Sequence, residues 1–220
     1  MKTSRKILAA FGAAIVSSRY GACAQGTFQN LNFESANIPP GTQPNSTISA
    51  SSAFPKWSAN AIVGYDAFSA GDTVISIVDS AVPGIAPLQG NYSVFLFGGE
   101  GSPAILSQTG LVPSGTHSMT VNLAGSGISL LIVSLDGQTI QMLPLVVFAN
   151  YTEYGGDVTA FAGNSELLSF TEQPPVGVPP SVLELDNIIF SPNTVPEPAT
   201  WTLLLCGAGL WGLMRQLRRQ

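Results

Sequence analysis

Charge is scarce in this 220-residue sequence, and nearly all of the positive charge lies at the two ends. Charged residues make up 10% of the chain, less than half of the usual share. Between residues 25 and 195, twelve acidic side chains and one basic side chain, Lys56, give a formal net charge of −11. Such a segment cannot neutralise a run of phosphates, so its composition excludes nucleic-acid binding and disfavours contact with anionic membranes.

Cysteine and histidine are nearly absent as well. Cys23 and Cys206 lie in the terminal segments, and His117 is the only histidine. The central part therefore has no disulfide, no zinc–thiolate site and no cysteine nucleophile. A Ser-His-Asp triad would need His117, but no G-x-S-x-G motif accompanies it. We expect His117 to be a turn or strand-entry residue, and we predict no catalytic residues.

The first 24 residues have the pattern of a secretory signal peptide. Basic residues are followed by the apolar run 7–16 and by the small-residue site Ala22-Cys23-Ala24. The apolar run is too short to span a bilayer as a helix. We predict cleavage after Ala24, which gives a mature protein that begins near Gln25. Lipoprotein processing at Cys23 is the alternative.

The C-terminal residues form a second targeting pattern. The motif Val195-Pro196-Glu197-Pro198 precedes the apolar stretch 199–214, and the basic end 215–220 contains Arg215, Arg218 and Arg219. As a helix the apolar stretch would be about 24 Å long, shorter than the roughly 30 Å hydrocarbon core of a bilayer. It can still span a thinned membrane, with the arginines on the cytoplasmic side.

This tail resembles the PEP-CTERM sorting signal of Gram-negative bacteria. The resemblance implies recognition by an exosortase, a membrane-embedded, transpeptidase-like cysteine protease that removes the tail during export to the cell surface or to an extracellular polysaccharide matrix. The two prolines favour an extended segment outside the membrane, which a protease can bind. A permanent single-pass anchor is the alternative.

Short apolar or alternating runs, separated by Gly, Pro, Asn and Asp, predict an all-β body with a β-sandwich fold. Asp136-Gly137 is a strong hairpin signal, and residues 35–60 and 171–180 are expected to be loops. The predicted strands are 27–33, 73–79, 92–97, 104–111, 118–123, 129–135, 139–148, 167–170 and 182–190.

The order of these segments resembles the jelly-roll domains of the galactose-binding-like superfamily, the architecture of many carbohydrate-binding modules. The segments that carry the resemblance are Asn32-Phe33-Glu34, Trp57, Gly90-Asn91-Tyr92-Ser93-Val94, Leu106-Ser107-Gln108-Thr109, Pro113-Ser114-Gly115-Thr116-His117 and Leu185-Asp186-Asn187-Ile188-Ile189-Phe190. The resemblance implies that the first and last strands lie together and hold a structural Ca²⁺, with Glu34 and Asp186 as ligands. Carboxylate oxygens suit this cation. Two solvated strand-end carboxylates are the alternative.

Sugar binding requires aromatic faces that are exposed beside polar groups. Trp57, Tyr151 and Tyr154 are the candidate ligand-binding residues. A single tryptophan in a sandwich is also a common core residue. Tyr151 and Tyr154 flank Glu153 in a Gly-rich segment that we interpret as an exposed turn.

These features divide the chain into a signal peptide at 1–24, a β-sandwich at 25–192 and a sorting tail at 193–220. We expect an exported, non-enzymatic protein that is held in the inner membrane by its tail and then released to the cell surface or matrix. The expected partners are an exosortase and an exopolysaccharide. The alternatives are a calcium-stabilised carbohydrate-binding module and a small polysaccharide hydrolase or lyase, which would need only two carboxylates.

Overall fold

The computed structural model describes residues 28–67, 72–99, 101–174, 176 and 181–195, and this part of the chain is almost entirely β. One short helix, α1 (Ala50–Ala53), and two 3-10 turns, Ser126–Leu130 and Thr159–Phe161, interrupt the strands. The strands are β1 (Ser46–Thr47), β2 (Ser58–Ala59), β3 (Ile62–Tyr65), β4 (Val74–Val78), β5 (Ser93–Phe97), β6 (Ala104–Leu111), β7 (Ser118–Ala124), β8 (Leu131–Leu135), β9 (Gln138–Thr139), β10 (Leu143–Val147), β11 (Thr152–Asp157), β12 (Ser165–Glu172) and β13 (Leu183–Ser191).

The strands form two sheets that pack face to face. The larger sheet has the order β1-β3-β4-β5-β13-β7-β11-β10, and the smaller has the order β2-β6-β12-β8-β9. The last strand, β13, lies between β5 and β7, while β12 lies between β6 and β8, and all of these pairs are antiparallel. This interleaving is the strand order of a jelly roll. The predicted all-β jelly-roll sandwich is therefore confirmed; the signal peptide and the C-terminal helix lie outside the described residues.

Apolar side chains from the facing sides of both sheets form the main core. Ile75, Leu96, Leu123 and Leu185 of the larger sheet meet residues such as Phe170 of the smaller sheet, and all five are at most 1% exposed. The alternation of strand side chains produces this arrangement, because every second residue points to the core. The sandwich is therefore stabilised chiefly by burial of apolar surface.

Strands β4 and β5 are buried on both faces. On their outer side Val74, Val78, Phe95 and Phe97 form a second apolar cluster, against which Ile85 packs. Ile85 belongs to the long connection between β4 and β5, so this connection crosses the outer face of the larger sheet. The two strands accordingly have sequences, VISIV and SVFLF, with few polar residues.

A β-bulge changes the direction of the side chains in β13. The pairing with β7 shifts between Asp186 and Ile189, and Asn187 has a φ of +50°. Leu185 and Ile188 therefore both reach the core, although strict alternation would place them on opposite faces. The bulge therefore interrupts the alternation of side chains along the predicted strand 182–190.

Most predicted strands are confirmed, with two corrections. Residues 31–35 form turns rather than part of a strand, because Asn30 and Phe33 have φ values of +52° and +58°. This segment nevertheless lies beside the last strand, since Ile188 N–H donates to the Leu31 carbonyl. Residues 139–148, predicted as one strand, are divided between β9 and β10, which belong to different sheets. The Asp136-Gly137 hairpin is confirmed, and both residues have positive φ.

Strand β11 was not predicted, because Gly155 and Gly156 were interpreted as part of a turn. In the structure these glycines leave space for residues of the neighbouring segment. A Cβ on Gly155 would lie 2.6 Å from Leu145 Cδ1, and one on Gly156 would lie 2.5 Å from Ile140 Cγ2. Close packing therefore explains the two glycines within a strand.

Strand β10 forms one edge of the larger sheet. Pro144 lies within it, and a bulge follows between Pro144 and Val146. Val146, Val147 and Phe148 are 46%, 79% and 46% exposed. This edge is thus apolar, short and irregular.

A pair of glycine substitutions tests the packing near β13. Gly125 and Gly84 have similar φ values, +99° and +89°. A Cβ added at Gly125 would lie 2.2 Å from the Val182 carbonyl oxygen, whereas a Cβ added at Gly84 would have no atom within 4 Å. We expect Gly84→Ala to lower the free energy of unfolding by about 1 kcal/mol, through backbone strain alone. Gly125→Ala should cost at least about 2 kcal/mol more, because the backbone would have to move. Urea denaturation of the full-length chain measures both, and equal losses would contradict this account.

Candidate functional site

The predicted targeting residues lie almost entirely outside the described part of the chain. Val195 is the last described residue. Pro196, Glu197, Pro198, the three C-terminal arginines and the cleavage-site residues Ala22 and Ala24 lie beyond it. Among the described residues, no helix is long and apolar enough to cross a membrane.

Glu34 holds a chain segment, residues 88–92, that we call the strap. Its Oε1 accepts from the main-chain N–H groups of Asn91 and Tyr92 at 2.8 and 3.1 Å, and its Oε2 accepts from Asn91 Nδ2 at 2.8 Å. A Cβ on Gly90 would lie 2.2 Å from Glu34 Oε1, so the carboxylate packs directly on the strap. Glu34 therefore caps this turn and fixes its position.

Asp186 holds the same strap from β13. Its Oδ2 accepts from Gln89 N–H at 3.0 Å, and its Oδ1 accepts from Asn187 N–H at 2.6 Å within the bulge. The side chain is 1% exposed. The structure thus brings the two predicted carboxylates, Glu34 and Asp186, to one strap.

Several polar side chains are buried beside Asp186 on the outer face of the larger sheet. Asn122 lies opposite both Asp186 and Glu153 in the strand register, and Glu184 accepts a short hydrogen bond from Ser93 Oγ. Burial raises the pKa of Glu184 to about 7, against the lowering effect of Ser93. Burial also raises the pKa of Asp186 to about 7; hydrogen bonds from Asn187 and Gln89 oppose this rise, while the charges of Glu34 and Glu184 add to it.

These contacts do not fit a shared calcium cage. Ca²⁺ requires six to eight oxygen ligands, whereas the groups directed at Glu34 and Asp186 are N–H donors. Among the described residues, no three Asp, Glu, His or Cys side chains are close enough to hold a metal ion. The geometry favours hydrogen-bonded turn caps, and the calcium site stays a prediction.

Trp57 belongs to the core and offers no exposed face. It is 6% exposed, and its ring lies 5.5 Å from that of Phe33 and 6.2 Å from that of Phe170. Its Nε1–H donates to the Asn30 carbonyl at 3.0 Å. Because an internal carbonyl satisfies the indole N–H, the residue can be buried at little cost. The prediction of Trp57 as a surface ligand-binding residue is corrected accordingly.

Tyr151 and Tyr154 do not share a surface. They are three residues apart, which in an extended chain places them on opposite faces. Tyr154 packs against the core and lines a small pocket of about 240 Å³ with Leu123 and Met142. Tyr151 instead lies at the start of β11, on the side of the strap.

Tyr151 pairs with Phe148, which sequence reasoning missed. The two rings are 4.6 Å apart and lie across the turn between β10 and β11. Gln89 Nε2 donates to the Tyr151 hydroxyl at 2.8 Å, and Asn150 Nδ2 donates to the Leu88 carbonyl at 3.1 Å. The strap therefore fixes this turn, and the Phe148–Tyr151 pair forms a half-exposed aromatic surface beside two amides.

His117 has a structural environment. Its Nδ1 lies 3.3 Å from Thr159 Oγ1, its N–H donates to the Ser191 carbonyl, and its carbonyl accepts from Val158 N–H. These contacts link the entry of β7 to two neighbouring segments. They agree with the expected position of His117 at the entry to a strand.

Residues 194–219 match the family described as the PEP-CTERM protein-sorting motif. The sorting motif predicted from the sequence is thereby confirmed, and it indicates an exported protein sorted to the cell envelope. A solved structure of TmCBM61 in complex with β-1,4-galactotriose is similar, with 14% sequence identity and a TM-score of 0.45 over 76% of this chain and 99% of that chain. The chain has no match among curated proteins.

The buried carboxyls predict that stability falls as pH rises. In the unfolded chain they ionise near pH 4, whereas in the folded protein the pKa values of Glu184 and Asp186 are about 7 and that of Asp66 is about 6. The folded state therefore binds more protons between about pH 4 and about pH 7, so the free energy of unfolding decreases across this window and levels off above it. Urea denaturation at several pH values measures the slope. Asp186→Asn should make it shallower; an unchanged slope in this variant would contradict the assignment.

Chelation tests the calcium prediction. If N–H groups already satisfy Glu34 and Asp186, EDTA should leave the Tm of the full-length chain unchanged. A ligand that binds only the folded state would raise the Tm with concentration. A calcium-dependent rise that is lost in Glu34→Gln would therefore restore the calcium hypothesis.

Proposed function

We propose that this protein is exported, processed by an exosortase at its C-terminal tail and released to the cell surface or extracellular matrix, where its body binds a polysaccharide. The match of residues 194–219 to the sorting motif is the observation that carries the proposal. The body is proposed to be non-catalytic, with the Phe148–Tyr151 pair as its sugar-binding surface.

The charge distribution supports this route. The signal-peptide pattern at 1–24 directs the body across the inner membrane, while the basic end at 215–220 is retained on the cytoplasmic side. The motif Pro196-Glu197-Pro198 then lies on the external side of a short apolar stretch. The tail holds the protein in the membrane of a Gram-negative-type cell until the protease cuts it.

The Phe148–Tyr151 pair has the features that a sugar ring requires. Phe148 is 46% exposed, and its ring lies 4.6 Å from that of Tyr151. The apolar face of a pyranose can pack on such rings, while neighbouring amides hydrogen-bond to its hydroxyls. Gln89 and Asn150 supply amides at this position, and their bonds to Tyr151 and Leu88 hold the surface in place before binding.

Mass spectrometry of both termini tests the processing route. The protein should be recovered separately from the membrane and from the extracellular matrix of its native host. We expect the matrix form to begin near Gln25 and to lack everything beyond the Pro196-Glu197-Pro198 region. Glu197→Ala should increase the membrane-bound fraction that retains the tail, whereas Asn193→Ala, just outside the motif, should not. A matrix form that still carries residues 201–220 would mean a permanent anchor.

Affinity electrophoresis in gels that contain neutral or uronic-acid polysaccharides tests the aromatic surface. The double variant Phe148→Ala/Tyr151→Ala should bind the retarding polysaccharide at least about tenfold more weakly, because it loses both rings. Leu167→Ala is the control, since Leu167 is a similarly exposed apolar residue, at 43%, on the other sheet. Equal losses in the two variants, or no retardation of the wild-type chain, would contradict the proposal.

Release of reducing ends that a single carboxylate substitution abolishes would indicate the hydrolase or lyase alternative.

A further inference from the structure

A cleft of about 600 Å³ lies at the bulge of β13, and none of the strap residues 88–92 lines it. The segment 28–32, the turn at 55–56 and residues 187–189 form its walls. Its volume lies within the range of small-molecule sites. An exposed apolar residue, Ile189, lines part of the cleft, and amide side chains line much of the rest.

The main chain around the cleft is held firmly. Gln108 forms two hydrogen bonds with the main chain of Gln29, at 2.6 and 2.9 Å. The Asn30 carbonyl accepts from Trp57 Nε1 at 3.0 Å, and the Leu31 carbonyl accepts from Ile188 N–H at 2.9 Å. The cleft is therefore formed before any ligand binds.

Four polar side chains that line the cleft have no internal partner. Gln29, Asn32, Lys56 and Asn187 make no side-chain hydrogen bond or ion pair with any described residue. Lys56 is also the single basic residue between 25 and 195, where there are twelve acidic ones. Within the described part of the chain, three amides and one ammonium group are thus left to bind a ligand at one place.

Three residues that line the cleft have a left-handed backbone conformation, which a ligand-binding role of their side chains would explain. Asn30, Lys56 and Asn187 have φ values of +52°, +76° and +50°. Asparagine tolerates this conformation, but lysine does so at a cost that glycine would avoid. Strained positions of this kind concentrate at ligand sites. Lys56 therefore occupies a position that favours glycine for the backbone, and it directs a cation to the rim of the cleft.

We propose that this cleft binds a uronic-acid residue of a polysaccharide, with Lys56 pairing with the sugar carboxylate and Gln29, Asn32 and Asn187 binding its hydroxyl groups. This inference rests on the proposed polysaccharide-binding function but places a second site on a different part of the body. Ile189, which lines the cleft and is 44% exposed, supplies apolar surface for the C–H face of the ring.

The electrostatics favour a single carboxylate. Among the described residues, no acidic side chain lines the cleft, so no carboxylate of the cleft wall competes with a ligand for Lys56. An ion pair with Lys56 can therefore form despite the acidic body. Because only one cation is present, one charged sugar should bind at a time.

Titration calorimetry of the full-length chain in mild detergent tests the site with two probes. The first is a trisaccharide of galacturonic acid, and the second is the same trisaccharide with its carboxylates reduced to alcohols. We expect the acidic probe to bind about tenfold or more tightly, as a charged hydrogen bond would give. Lys56→Met should remove this preference, Lys56→Arg should retain it, and Asn187→Ala should weaken both probes alike.

Two further variants separate a binding role from a structural one. Lys56→Gly should lose the preference for the acidic probe while its Tm stays equal or rises, because glycine relieves the strain. Leu167→Ala, an exposed apolar residue of the other sheet that lines neither site, should bind both trisaccharides like the wild type. Equal affinity for the two probes, or a preference that persists in Lys56→Met, would overturn the cleft assignment and leave the proposed function standing. If Phe148→Ala/Tyr151→Ala loses polysaccharide retardation and Lys56→Met does not, the proposed function stands and the cleft assignment does not.

Discussion

A body with one basic side chain must satisfy its buried and half-buried carboxylates without ion pairs, and this constraint shapes the structure. An isolated buried charge is costly unless hydrogen bonds stabilise it. Main-chain N–H groups donate most of these bonds. Glu34 accepts from Asn91 and Tyr92, and Asp186 accepts from Gln89 and Asn187. Glu172 accepts from Gly98. The carboxylates consequently act as clamps on loops and turns.

Asp186 connects two separate parts of the structure through its hydrogen bonds. One oxygen holds Gln89 in the strap, and Gln89 in turn orients Tyr151 at the aromatic surface. The other oxygen holds Asn187 in the bulge that forms a wall of the cleft. The geometry of the aromatic surface and that of the cleft therefore depend on one buried side chain, and burial raises the pKa of that side chain to about 7.

Local patterns in the sequence predicted much of the fold. The apolar runs of β4 and β5 and the Asp-Gly hairpin follow from composition and turn chemistry, and both sorting patterns are contiguous in the chain. The strap could not be predicted in this way. Its bonds join residues 57 and 97 positions apart, and nothing near Glu34 or Asp186 indicates which N–H groups they meet. The sequence left Trp57 open to either a surface or a core position, because it does not reveal that the Asn30 carbonyl accepts its N–H. The two glycines of β11 are typical of a turn when the local sequence is read alone. Their packing partners, Leu145 and Ile140, lie in another segment, so the sequence does not show why a strand needs glycine there.

The irregular edge of the larger sheet has a consequence for crowding. Proteins at a cell surface or in a matrix are close to many copies of themselves, and an apolar edge strand is a template on which a neighbouring chain can add its own strand. Pro144 has no N–H to offer such a strand, and the bulge after it breaks the regular spacing of the remaining donors and acceptors. Strand β10 is therefore an incomplete template, and this irregularity disfavours continuation of the sheet into an adjacent molecule.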